Sequence, residues 1–255
     1  MQLIPQAREA LNLLEKKKVR DKAGKFVVEG EHLVLESFRD AEFVVHSVEG
    51  LAAREAAARK IPCFKVSKKV FSFLTSVETP QGVLAVVKKR EWKLADLLRS
   101  AGTIVYCAGV QDPGNLGTIV RSADAAGAAG VIVSRGTADP YNQKVIRSTM
   151  GSIFHLPLVQ AEDDGEMIAS LKKAGVRVVG ADMSGKDYWG ADLTGPVAVM
   201  IGNEGAGIPE KLLAACDEVI RVPMPGKAES LNAAMSASLI LYEALRQRWS
   251  KESKH

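Results

Sequence analysis

Three short runs in the 255-residue sequence carry residue types better suited to chemistry than to packing. The first is Asp112-Pro113-Gly114-Asn115-Leu116-Gly117, with Arg121 a few positions on. Its proline and glycines predict a tight turn from a strand into a helix, with Asn115 as the expected N-cap. Arg121 then falls in the second turn of that helix, where a cation opposes the helix dipole. Helix stability does not explain it, which leaves ligand binding or an i,i+3 salt bridge with Asp124. The second run is Gly202-Asn203-Glu204-Gly205-Ala206-Gly207, just after Ile201. Three glycines in six residues suit a backbone that a ligand approaches closely, and Pro209 starts the next helix. The third run goes from Val222-Pro223-Met224-Pro225-Gly226 to Ser230-Leu231-Asn232. Ser230 is the expected N-cap of a C-terminal helix. Asn232, just inside that helix, is a poor helix former and points to a role beyond structure.

Each run follows a stretch that reads as a buried strand: residues 103–108, 197–201 and 219–222. Open α/β sheets bind ligands at the carboxyl ends of their strands. Further strands are expected at 131–133 and 176–181, with helices at 116–126, 142–150, 166–174, 209–215 and 231–248. The spacing of strand 103–108, its helix and strand 131–133 is that of a parallel βαβ unit. Ahead of these elements, strands at 26–28, 43–45, 64–66 and 82–87 alternate with helices at 31–38 and 51–60. That block reads as a small α/β sandwich. Charge at 88–92 breaks the apolar pattern, so the expected division is residues 1–93 and 94–255.

The net charge of +4 is unevenly spread: residues 1–93 carry a net +6 and residues 94–255 a net −2. Lys16, Lys17, Lys18, Arg20, Lys22 and Lys25 stand within ten residues, opposed only by Asp21, and Lys88, Lys89 and Arg90 form a second cluster. A basic first third fits a polyanionic partner, while runs of this kind also occur as plain solvated surface. No apolar run approaches the roughly 18–20 residues of a membrane span, and the first eleven residues lack the core of a signal peptide. Cys63, Cys107 and Cys216 lie far apart and read as reduced thiols of a cytoplasmic protein. His32, His46, His155 and His255 are scattered, with none at metal-ligand spacing, so no metal is expected.

The three ordered motifs give the sequence a family likeness over residues 103–248. Asn115, Gly117 and Arg121, then Ile201-Gly202-Asn203-Glu204-Gly205, then Val222-Pro223-Met224 with Ser230-Leu231-Asn232, resemble the SpoU/TrmH family of the SPOUT superfamily, RNA ribose 2′-O-methyltransferases. The first block, through Gly24-Lys25-Phe26-Val27-Val28-Glu29-Gly30 and Thr79-Pro80-Gln81-Gly82-Val83, resembles the L30e type of RNA-binding domain. Asn232-Ala233-Ala234-Met235 departs from the valine- and serine-rich run of many relatives. The resemblance implies a SPOUT α/β domain with a C-terminal trefoil knot, preceded by the L30e-like sandwich. It implies S-adenosyl-L-methionine held near Ile201, Gly202, Ile220, Val222, Met224 and Leu231. Arg121 would clamp RNA phosphate and the developing alkoxide, since its high pKa makes it a poor base. Asn115, Ser230 and Asn232 would orient the ribose, and Glu204 would fix either Arg121 or the loop. The partners implied are ribosomal or transfer RNA, met by the cations at 16–25, and a second copy of the chain. For that second copy the stripe Leu231, Ala234, Met235, Ser238, Leu241, Tyr242 and Leu245 is the expected contact.

Two other readings fit less well. A binding-only ribosomal or regulatory protein needs the basic block but not the three loops. A Rossmann-type enzyme places GxGxxG after its first strand with an acidic residue about 20 positions later. Here the glycines are spaced GxxGxG and come late in the chain.

Overall fold

Short runs of Val, Ile and Phe, whose branched and aromatic side chains suit a pleated surface, form the strands of two sheets. The computed structural model describes residues 3–100 and 102–252. They divide into two units, one running up to Arg90 and including Asp139–Phe154, the other made of Glu91–Ala138 and the chain from His155 onward.

In the first unit β1 (Lys25–Glu29), β2 (Ala41–His46), β3 (Cys63–Lys65) and β4 (Val83–Lys88) form a sheet in the order β1-β4-β2-β3. β4 runs antiparallel to both its neighbours, and β3 is parallel to β2. The helices are α1 (Pro5–Glu15), α2 (Lys17–Ala23), α3 (Glu31–Glu36), α4 (Leu51–Ala58) and α5 (Lys68–Phe71). One sheet face packs Val27, Phe43, Val45, Leu84 and Val86 against Ala7, Ala10 and Leu13 of α1 and Phe71 of α5. The other packs Phe26, Val28, Val44, Ala85 and Val87 against α3 and α4. The sequence pattern showed no element ahead of Phe26, yet two helices stand there. Pro5 opens α1, where the missing N–H costs nothing. Gly24, at φ +62°, ends α2 in the left-handed conformation. Lys17–Ala23, the heart of the basic run, is therefore helical.

The second unit opens with α6 (Leu94–Leu97), β5 (Ile104–Cys107), α7 (Pro113–Ala125) and β6 (Gly130–Val133). The chain then returns to the first unit, where α8 (Gln143–Thr149) lies and where Ile146, Ile153 and Phe154 join the α3–α4 core. A boundary drawn at one point in the sequence misses this return. Back in the second unit follow β7 (Leu158–Gln160), α9 (Asp164–Lys173), β8 (Arg177–Asp187), β9 (Val197–Ile201), α10 (Glu210–Ala214), β10 (Glu218–Arg221) and α11 (Ala233–Glu252). The sheet order is β10-β8-β9-β5-β6-β7, and every pairing is parallel. Tyr106, Ile132, Val178 and Met200 pack with Ile168 and Leu171 of α9 on one face. α11 packs on α7 and β9 and buries Ala234, Ala237, Ile240, Leu241 and Ala244.

From β5 the chain winds outward through β6 to β7, then crosses to β8 and β9 on the other side. The strand order thus reverses between β5 and β9, which is where a parallel sheet leaves a crevice at its carboxyl edge. Among the described residues no helix is long and apolar enough to cross a membrane.

Candidate active site

The loops after β5 and β9 meet at this reversal. Asp112, not Asn115, caps α7, accepting the Asn115 amide at 2.9 Å. The helix begins at Pro113, earlier than expected, and Asn115 lies inside its first turn with its side chain free to reach out. Asn115 Nδ2 donates to Glu204 Oε1 at 2.9 Å, and Asn115 Oδ1 accepts from Asn232 Nδ2 at 2.8 Å. Glu204 also accepts the backbone amides of Gln111 at 3.1 Å and Asp112 at 3.0 Å. Burial pushes the Glu204 carboxyl up, but the bonds from Asn115 and from the Gln111, Glu204 and Asp112 amides outweigh it and hold the group below its ordinary value. Asn232 Oδ1 in turn accepts the amides of Ala234 at 2.9 Å and Met235 at 3.2 Å. Asn232, and not Ser230, therefore caps α11, because the helix starts two residues later than expected. One chain of hydrogen bonds, Glu204–Asn115–Asn232, ties together all three runs.

Beside this chain lies a cleft of about 360 Å³. Ile201, Gly202, Ile220, Val222, Met224 and Leu231 all line it, as do Glu204, Ser230 and Asn232. The Gly202 requirement has a different cause from the one expected. A Cβ there would lie 2.3 Å from the Gly207 carbonyl carbon and 2.4 Å from Ile208 N, so the loop's own backbone excludes a side chain. Asn203 closes that loop, donating to Gly109 O at 3.0 Å and accepting the Gly205 and Ala206 amides at 2.9 Å.

Arg121 is exposed on α7 and makes no hydrogen bond or ion pair among the described residues. Asp124 faces His155 at 3.6 Å instead. Of the two tasks open to Glu204, it performs the loop-fixing one and does not touch Arg121. The expected stripe on α11 divides in two. Ala234 and Leu241 are buried inside the unit, while Met235 and Tyr242 are 58% and 52% exposed, joined by Leu239, which the expected stripe did not include, at 42%. Leu231 belongs to the cleft, Ser238 donates to Ser122 Oγ at 2.8 Å, and Leu245 is half-buried.

The basic run also divides. Lys16, Lys17, Lys18 and Lys22 are exposed. Arg20 is buried, donating to Leu13 O at 2.6 Å, Leu14 O at 3.2 Å and Asp139 Oδ2 at 2.6 Å. Lys25 pairs with Glu9 and Glu42, and Lys17 with Asp21. Arg20 is thus held inside the protein, and Lys25 is half-buried in its pairs with carboxylates. Burial pushes the Cys107 thiol up to about 12, with the Glu204 charge adding to it. That cysteine stays protonated at the foot of the site. Among the described residues no cluster of His, Cys, Asp and Glu could hold a metal ion, and His255 lies outside them.

The family model described as the SpoU rRNA Methylase family matches residues 102–242, the segment that holds all three loops. The chain belongs to the SpoU rRNA methylase family. A second model, an MRM3-like substrate binding domain, matches residues 5–85. The chain is 39% identical over 232 residues, 90% of its length and 92% of the relative's, to the 23S rRNA (guanosine(2553)-2′-O)-methyltransferase RlmP of Bacillus subtilis. The SpoU methyltransferase AviRb from Streptomyces viridochromogenes, in complex with AdoMet, superposes with a TM-score of 0.86 at 32% identity, covering 97% of this chain and 99% of that one. An AdoMet-bound rRNA methyltransferase from Sinorhizobium meliloti gives 0.83 at 35% identity, covering 95% and 94%.

The cleft of this SpoU-family chain also takes Asp182, Met183, Asn203 and Ser236, none of them singled out from the sequence. Asn203 had a visible signal, since it stands inside the second glycine run. Asp182 had a weaker one, a carboxylate directly after the apolar run 176–181.

Proposed function

We propose that this chain transfers a methyl group from S-adenosyl-L-methionine to a ribose 2′-hydroxyl of structured RNA, with ribosomal RNA of the 23S type preferred to transfer RNA. The observation that carries the reading is the Glu204–Asn115–Asn232 chain at the rim of a cleft built from three loops. The 23S rRNA 2′-O-methyltransferase relative and the AdoMet-bound neighbours support it. The cleft suits the cofactor by its own chemistry. Ile201, Ile220, Val222, Met224 and Leu231 offer apolar walls for a flat base, and the loop backbones offer donors and acceptors for its edge.

When bound, the sulfonium supplies an already activated methyl, so the protein's task is alignment and help with loss of the hydroxyl proton. Asn115 and Asn232 hold each other in one geometry and, with Ser230, orient the acceptor ribose. Glu204 locks the β5 and β9 loops so that this geometry is set before RNA arrives. Arg121, with no partner among the described residues, is available to clamp an RNA phosphate and stabilise the developing alkoxide. Lys16, Lys18 and Lys22 meet the RNA backbone. The β9–α10 and β10–α11 loops are the walls of a trefoil knot. The exposed stripe Met235, Leu239 and Tyr242 pairs two copies into a homodimer, which works in the cytoplasm on ribosomal RNA.

Calorimetric titration with S-adenosylmethionine, together with mapping of 2′-O-methyl sites in RNA from cells with and without the gene, tests the reading. Saturable binding and the loss of one rRNA methyl mark are expected. No cofactor binding, or an unchanged methylation map, refutes it.

A further inference from the structure

We propose that Asp182 is a cofactor-binding residue whose carboxylate holds the ribose hydroxyls of S-adenosylmethionine; this rests on the methyl-donor reading above. The ladder between β8 and β10 is interrupted at this point. Val219 pairs with Gly180, but the next residue, Ile220, pairs with Lys186, so residues 181–185 of β8 form an excursion from the β10 ladder, while Ala181 still pairs with Ile201 of β9. Interruptions of this kind re-aim side chains beside active sites. Gly185 closes the excursion onto β10. A Cβ there would lie 2.5 Å from Val219 C and 2.6 Å from Ile220 N, so no other residue fits without a backbone shift.

The excursion puts Ala181, Asp182 and Met183 on the wall of the cleft. Asp182 Oδ1 is occupied: it accepts the Ser184 amide at 2.9 Å and the Ser184 hydroxyl at 2.7 Å. That leaves Oδ2, which has no hydrogen-bond partner among the described residues. It points toward the glycine loop, 3.6 Å from where a Cβ of Gly207 would stand.

The other charged and amide side chains of the cleft are engaged elsewhere. Glu204 takes Asn115 and two backbone amides, and Asn203 and Asn232 use both ends of their side chains within the loops. Arg221 pairs with Asp187 at 2.8 Å. Asp182 is the carboxylate left with an open oxygen, on the same side as the loop that receives the nucleoside. A carboxylate at the end of a parallel strand that takes ribose hydroxyls is a recurring solution in nucleotide sites, because each hydroxyl donates to an ionised acceptor.

Asp182→Asn tests this directly. Asparagine keeps the oxygen that holds Ser184 and replaces the open acceptor with a donor. Calorimetry would use two probes, S-adenosylmethionine and 5′-methylthioadenosine, which keeps the ribose but lacks the amino-acid portion. Both should weaken by a similar factor, about tenfold or more, for loss of a charge-assisted hydrogen bond. A second measurement needs no variant. The 2′,3′-dideoxy form of 5′-methylthioadenosine should bind the unsubstituted protein about tenfold more weakly than the parent compound, and Asp182→Asn should add little to that loss. Unchanged affinities for both probes would overturn the assignment. So would weakening confined to S-adenosylmethionine, which would put the carboxylate against the amino-acid portion. An unsubstituted protein that binds neither probe would sink the methyl-donor reading itself, an outcome distinct from both.

Discussion

The basic run of the first unit and the three loops of the second use their polar side chains in opposite ways. In the run, the guanidinium of Arg20 turns inward to the carbonyls of Leu13 and Leu14 and to Asp139, and Lys25 turns to Glu9 and Glu42. In the loops, Glu204 and Asn232 hold backbone in place, while Arg121 on α7 stays exposed and unpaired among the described residues. A dense cluster of charge thus spends part of itself on its own fold, whereas Arg121, outside any cluster, keeps its guanidinium open among the described residues. Charge density in a sequence is a poor guide to which cations remain open. The strand end that a residue follows is a better one.

The comparison breaks most sharply at Arg20. If it is structural, Arg20→Met leaves Asp139 buried without its counter-charge and should cost about 3–5 kcal/mol, read from urea unfolding. Converting Asp139 to Asn in the same chain should recover part of that loss, because the stranded charge is gone. A fall of RNA affinity in Arg20→Met with unfolding unchanged would return Arg20 to the RNA surface.

Arg121 should behave in the reverse way. Arg121→Lys should lower turnover by about 100-fold or more, since a point charge cannot replace the planar fork. Its unfolding midpoint and S-adenosylmethionine affinity should stay near those of the unsubstituted protein. Near-normal turnover in single-turnover assays would make Arg121 a bystander.

Glu204 sits between these extremes, both structural and close to the chemistry. Its folded carboxyl lies below the ordinary glutamate value, so its contribution to stability is present above the unfolded-state pKa and is lost as pH falls through the folded one. Glu204→Gln should melt lower at neutral pH, and the gap from the unsubstituted protein should close as the pH is taken down through the glutamate range. Parallel melting curves across that range would mean the loop does not depend on this charge.

The smallest effect belongs to the cations that remain exposed. Changing Lys16, Lys18 and Lys22 together to Gln should leave melting unaltered. The slope of log affinity for rRNA stem-loops against log salt should flatten by about 2–3, if each lysine neutralises one phosphate. An unchanged slope would show that the α2 surface does not meet RNA.

Sequence alone determined every strand but the short β7, the parallel βαβ character and the three runs at the carboxyl ends, because periodicity and turn residues act over a few positions. The family resemblance carried by those runs also pointed to the six apolar and glycine positions that line the cleft. Tertiary structure decided the rest. Asp112 and Asn232 became the caps only when the helix starts were set, and that freed Asn115 to join Glu204 with Asn232 across 117 positions of chain. Asp182 came to the cleft through a ladder shift between β8 and β10, and the 139–154 segment joined the first unit through Ile146, Ile153 and Phe154. Met235, Leu239 and Tyr242 emerged as the open face of α11 only once the packing of Ala237, Ile240 and Ala244 fixed the helix's rotation. In each case the deciding partner is distant in sequence, and a local pattern carries no information about which of several compatible partners the fold will bring into reach.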